Sequence, residues 1–91
     1  MVLVSLSPEG LRSFRGLPEF ARTDFDGVLG AWERAQRLRL PGAFSVHELE
    51  GGRGLWTLKC GAYRGVFRWD GNEARFIRFG HRRAAYIRLP K

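Results

Sequence analysis

The chain has 91 residues, a net charge of +7, 44% hydrophobic residues and 27% charged ones. That combination describes one globular domain, expected to span residues 1–91, with a modest core and no room for a second, and it is not the composition of a disordered segment. The lone cysteine, Cys60, excludes an intrachain disulfide and a cysteine-only metal cage, and no apolar run reaches membrane-span length.

Residues 2–6 read as a short strand, and residues 1–6 lack the basic region of a signal peptide, so a reducing, cytoplasmic location is expected. Ser7 is placed to cap a helix opened by Pro8, with Leu11 and Phe14 on its buried stripe and Gly16 as its stop. Pro18 opens a second helix. Phe20, Phe25, Val28, Leu29, Trp32 and Ala35 recur at three- and four-residue spacing and form its apolar stripe, up to Leu40-Pro41-Gly42. Gly27 and Gly30 inside it point to a close approach of another element.

From Phe44 the period becomes two. Strands are predicted at Phe44–Leu49, Leu55–Cys60, Tyr63–Trp69 and Glu73–Phe79. Turns fall at Gly51-Gly52-Arg53-Gly54, Gly61-Ala62 and Asp70-Gly71, the last a two-residue hairpin signal. Tyr63, Phe67 and Trp69 share one face of the third of these strands, and Arg64, Val66 and Arg68 share the other. By the same alternation Arg75 and Arg78 fall on opposite sides of the last strand. The expected fold class is α+β: an N-terminal strand and two helices packed on one face of a four- or five-stranded, mainly antiparallel sheet, the other face being wet and cationic.

The charge is unevenly spread. Residues 1–63 carry seven Arg and one Lys against seven acids, whereas residues 64–91 carry the same number of cations against only Asp70 and Glu73. Such a segment invites a polyanion, and arginine binds phosphate bidentately. No Walker loop, dinucleotide fingerprint or His-Glu-x-x-His motif occurs. Cys60, His47 and His81 do not make a persuasive zinc site or thiol nucleophile, and Cys60 reads as a small buried side chain. No metal site and no cofactor are expected. What remains is a constellation of Lys59, Arg64, Arg68, His81, Arg82, Arg83 and Tyr86.

Three segments carry a resemblance: Gly54–Lys59, then Gly61-Ala62-Tyr63-Arg64-Gly65-Val66-Phe67, then Gly80-His81-Arg82-Arg83-Ala84-Ala85-Tyr86. Together they resemble the RelE/ParE superfamily of toxins from type II toxin–antitoxin systems, over about a third of the chain. The resemblance implies a RelE-like fold and a metal-independent, ribosome-dependent endoribonuclease, an mRNA interferase that inhibits translation and is neutralised by a cognate antitoxin. Its partners would be that antitoxin, the ribosome and mRNA, with no membrane and no small-molecule cofactor. In such a reaction the 2′-oxygen attacks the adjacent phosphorus, charge gathers on the phosphorane, and the 5′-oxygen leaves.

On this resemblance Arg64 and Arg82 would hold the scissile phosphate, Tyr86 would stack on a base or aid proton transfer, and His81 would exchange a proton. Lys59 would bind phosphate or lower the pKa of a nucleophile, and Arg68 and Arg83 would contact the RNA backbone. Trp56 reads as core. Thr57 and Leu58 stand where some relatives carry a second lysine, and the general base stays open among His47, Glu48 and Glu50. Two alternatives share the basic surface: a ParE-like inhibitor of DNA gyrase, and a non-enzymatic basic module that binds RNA or protein.

Overall fold

The structure, a computed structural model, describes residues 3–34, 46–49 and 54–89. In chain order these form β1 (Leu3–Leu6), α1 (Pro8–Arg15), α2 (Glu19–Arg34), β2 (Val46–Glu48), β3 (Leu55–Cys60), β4 (Tyr63–Trp69) and β5 (Glu73–His81). The expected helix stop at Leu40-Pro41-Gly42, Phe44, Glu50 and most of the Gly51–Gly54 turn lie outside the described residues. The five strands form one sheet in the order β1-β5-β4-β3-β2, antiparallel except for the parallel pair β1 and β5. The α+β class and the mainly antiparallel sheet are as the sequence predicts.

Ser7 caps α1, accepting from the Gly10 amide at 2.9 Å, and Pro8 occupies the first turn where its missing N–H costs nothing. Where β1 stops pairing with β5 at Leu6 and Phe76, α1 takes over the strand edge. The Ser7 amide donates to the Phe76 carbonyl at 2.8 Å, and Ser13 Oγ accepts from the Phe79 amide at 2.9 Å. Backbone groups that β1 no longer reaches are thereby satisfied. This requires α1 to lie almost on the β5 backbone: a Cβ on Gly10 would stand 2.3 Å from the Phe76 carbonyl oxygen.

Gly10, not Leu11, is therefore the buried residue of α1, and Leu11 is exposed. The close approach that Gly27 and Gly30 were expected to permit is not theirs. Among the described residues nothing lies within 4 Å of a Cβ on Gly27, and Gly30 has only the flexible end of Arg34 nearby. The stripe of α2 also differs at its start: Ala21, Phe25, Leu29 and Trp32 are buried, whereas Phe20 is 63% exposed. Phe20 lies in the first turn, where the helix has barely begun to cross the sheet.

The main core lies between the helices and the sheet. Phe25 meets Phe79, Trp32 meets Phe67, and Phe67, Phe76 and Phe79 pack in sequence across β4 and β5. Each such ring contributes about 1.5–3 kcal/mol by burial. Gly65 makes room for it, since a Cβ there would come within 2.9 Å of the Phe76 ring. Trp56 packs against this core, as expected.

Three local readings are corrected. The β4–β5 turn is Gly71-Asn72, one residue later than Asp70-Gly71: the Asp70 amide donates to the Glu73 carbonyl. Asp70 Oδ1 accepts from the Asn72 and Glu73 amides, which holds its carboxyl below the usual carboxylate range, and Gly71 supplies φ +100°. Next, β4 and β5 slip by one residue, Val66 pairing with Arg78 and Phe67 with Phe76. The bulge at Ile77 returns Arg78 to the side that Arg75 occupies, so the two arginines share a face.

Finally, the sheet face away from the helices is not simply wet. The segment after β5 folds back over it, and Ala85, 1% exposed, plugs a second small cluster with Leu55, Val66 and Ile77. Arg78 holds that segment down. Its Nη1 donates to the carbonyls of Ala85 and Ile87, and its Nη2 to the Arg88 carbonyl and to Glu9 Oε1 at 2.9 Å.

Candidate functional site

The basic residues gather where β3 turns into β4. Gly61 adopts φ +60° in the two-residue turn that Cys60 and Tyr63 close, the requirement of a hairpin with glycine at its first turn position. One step inside it, Lys59 and Arg64 face each other across the strands on the face away from the helices, and Gly80 of β5 follows Arg64. Side chains so paired stand about 5 Å apart, and like charges directly opposite are unfavourable until an anion joins them.

Arg64 Nη1 donates to the carbonyls of Gly61 at 2.7 Å and Tyr63 at 2.9 Å. Its partners are neutral carbonyl oxygens, and three further N–H groups remain on the guanidinium. The Arg82 amide donates to the Ala62 carbonyl at 2.8 Å, which fixes the Arg82 backbone against the same turn; its side chain is exposed. Tyr86 reaches the open face from the returning segment, its hydroxyl 3.0 Å from Thr57 Oγ1, two residues from Lys59 on the same side of β3. Lys59, Arg64 and Tyr86 therefore share a face, and Arg82 is anchored at its rim.

His81 is placed differently. It pairs with Tyr63, and its ring stands edge-on to that tyrosine at 5.5 Å, on the helix side of the sheet. Its Nδ1 accepts from the Arg83 amide at 3.2 Å, so a neutral ring carries its proton on Nε2. Arg83 is exposed beside it. Arg68 is four residues along β4 from Arg64, about 13 Å away, and pairs with Arg75.

Strand register narrows the open choice of base. His47 pairs with Thr57 and so lies on the face of Lys59, Arg64 and Tyr86, whereas Glu48 pairs with Trp56 and takes the helix side. Sequence alone could not fix this parity, because β2 has only three residues.

A cleft of about 330 Å³ opens at the far end of the sheet, lined by Gly54, Arg68, Trp69, Asp70, Glu73 and Arg75. Among the described residues two arginines and two carboxylates line it. Among the described residues no group of three or more His, Cys, Asp or Glu is placed to hold a metal ion, and no helix is long and apolar enough to cross a membrane.

Cys60 lies on the helix side of the sheet, one residue from Lys59. Burial and the nearby Asp24 carboxylate push its thiol up to about 11, against a smaller opposing effect of Arg64. The folded state thus prefers the neutral thiol. The unfolded chain sheds this proton first, from about pH 9, so the stability difference is full below that value and lost as pH rises toward 11. Urea melts between pH 8 and 11 are expected to show stability falling over that window, and Cys60→Ala should flatten the fall. An equal slope in both proteins would contradict the assignment.

No protein-family model matches the chain, and no curated protein matches it in sequence. Solved structures do. A chain of the RelB–RelE antitoxin–toxin complex from Methanococcus jannaschii superposes with a TM-score of 0.78 at 16% identity, over 94% of this chain and 99% of that one. The isolated RelE toxin of E. coli gives 0.67 at 16% identity, over 89% and 84%. A chain of the DinJ–YafQ toxin–antitoxin complex from E. coli gives 0.70 at 14% identity, over 93% and 97%. Over most of its length the chain has the fold of the RelE toxins.

Proposed function

We propose that this protein is the toxin of a toxin–antitoxin pair and acts as a ribosome-dependent endoribonuclease on mRNA, held inactive by a cognate antitoxin. The observation that carries the reading is the juxtaposition of Lys59 and Arg64 across β3 and β4 with the Arg82 backbone pinned to the same turn. Three cations at one end of a sheet suit a phosphodiester whose equatorial oxygens gain charge. Arg64 and Arg82 bind those oxygens, and Lys59 adds a point charge.

Tyr86, steadied by Thr57, packs against a base. His47, on the same face, takes the proton of the 2′-hydroxyl as its oxygen bonds to phosphorus; the P–O5′ bond breaks and the 5′-oxygen takes a proton from water. His81, turned to the helix side, serves the rim of the site and not its centre. Arg83 and Arg68 contact the RNA backbone on either side.

Ribosomes programmed with a defined mRNA test this. Wild-type protein is expected to cut the message in the decoding site, and His47→Ala to slow the cut by about 10²–10⁴-fold. Arg82→Ala should lower it comparably. Growth arrest with intact mRNA and broken DNA would refute the nuclease reading and favour a gyrase inhibitor.

A further inference from the structure

Three rings line up on the helix side of the same turn. Phe20 meets Tyr63 edge-on at 5.7 Å, and Tyr63 meets His81 edge-on at 5.5 Å. Tyr63 and His81 are partly covered, but Phe20 is 63% exposed, the most exposed of the large hydrophobic side chains among the described residues. Burial in the core explains Phe25, Leu29 and Trp32 of the same helix; it does not explain Phe20. The strip is also tied to the cationic site. The Tyr63 carbonyl accepts from Arg64, the His81 ring accepts from the Arg83 amide, and the Arg82 amide bonds to Ala62, next to Tyr63.

The strip is polarised. Its arginine end holds Arg64, Arg82 and Arg83; its other end lies on α2, where Glu19 adjoins Phe20 and Asp24 lies near Cys60. A ligand that is anionic at one end and flat and apolar at the other matches this order. A nucleotide of a single strand has that form, its phosphate toward the arginines and its base toward Phe20. A purely acidic partner would meet the Glu19 end unfavourably, and a purely apolar one would leave the arginines unused.

We infer that Phe20, Tyr63 and His81 form a base-stacking subsite for single-stranded RNA, in which a nucleotide flanking the cleaved phosphate crosses the Gly61-Ala62 edge from the cationic face to the helix side. This rests on the proposed function and adds a second base position, distinct from that of Tyr86. Phe20 is the ring that meets the base face; Tyr63 and His81 brace it and narrow its approach.

Fluorescence anisotropy with the full chain tests it, using a short single-stranded RNA and an abasic oligonucleotide of equal length and charge. Phe20→Ala is expected to weaken the base-bearing RNA about tenfold and to leave the abasic one unchanged, and Phe20→Trp to restore binding. Because Phe20 is exposed, its replacement should leave the fold intact, as circular dichroism would check. Wild-type protein that binds and cuts RNA while Phe20→Ala binds both oligonucleotides as before would refute the subsite alone. Wild-type protein that binds neither oligonucleotide would refute the subsite, and if it also leaves mRNA on programmed ribosomes intact, the nuclease reading falls with it. A Phe20→Ala protein with full RNA affinity but no complex with a protein partner would make the strip a protein-docking surface and overturn the inference.

Discussion

Arg64→Ala is expected to slow ribosome-programmed cleavage of mRNA by about 10²–10³-fold, the usual cost of losing one preorganised charge-stabilising donor. The side chain is preorganised because its hydrogen bonds to the Gly61 and Tyr63 carbonyls both use Nη1 and hold the guanidinium over the turn. In the proposed reaction a phosphorane formed there would meet donors that need not reorganise. Arg64→Lys should recover little of the loss, because one ammonium cannot hold two carbonyls and a phosphate in the plane that a fork provides. The contacts being at the surface, the melting temperature should hardly move. Cleavage at the wild-type rate by Arg64→Ala would remove the central residue of the proposed site.

Opposite signs are expected for two glycine-to-alanine changes in the helices. Gly10→Ala pushes a methyl group to 2.3 Å from a backbone oxygen, which cannot swing aside as a side chain can. Either α1 or β5 must retreat, and the Ser13 bond to the Phe79 amide stretches with it. Overpacking costs about 1–3 kcal/mol and an unsatisfied strand amide a similar amount, so a loss of about 3 kcal/mol is expected in urea melts. Gly27→Ala places its methyl in open space and should gain about 1 kcal/mol from helix propensity. A stabilising Gly10→Ala would mean that α1 does not sit on the strand backbone.

These two glycines show where sequence was sufficient and where it was not. Capping by Ser7 and Pro8, the alternation of β4 and the tight turn at Gly61 are local, so their residues state them directly. The crowding at Gly10 is set by β5, more than sixty positions away, and no helical pattern within α1 reveals it. The same holds for Arg75 and Arg78. Simple alternation separates them, and only the one-residue slip between β4 and β5 reunites them.

Within the candidate site, Lys59 and Arg64 stood out in the sequence as cations of the resembling segments; their pairing, one step inside the Gly61-Ala62 turn, comes from the strand register. The side that His81 takes was not legible, because it follows from its partner Tyr63 and not from its neighbour Arg82. His47 needed the register of a three-residue strand. Phe20 was disguised by its spacing, which matches the buried stripe although its ring meets only the end of β4, at Tyr63, and stays exposed.

The parallel pairing of β1 with β5 has a consequence for how the protein comes into being. The first strand finds its sheet partner in β5, about 70 positions later, and the first helix is hydrogen-bonded to the same strand. Closing so long a loop is slow compared with forming the β3–β4–β5 meander. A nascent chain whose residues 73–81 are still inside the exit tunnel therefore holds its first strand unpaired and the rim of its cationic turn unassembled.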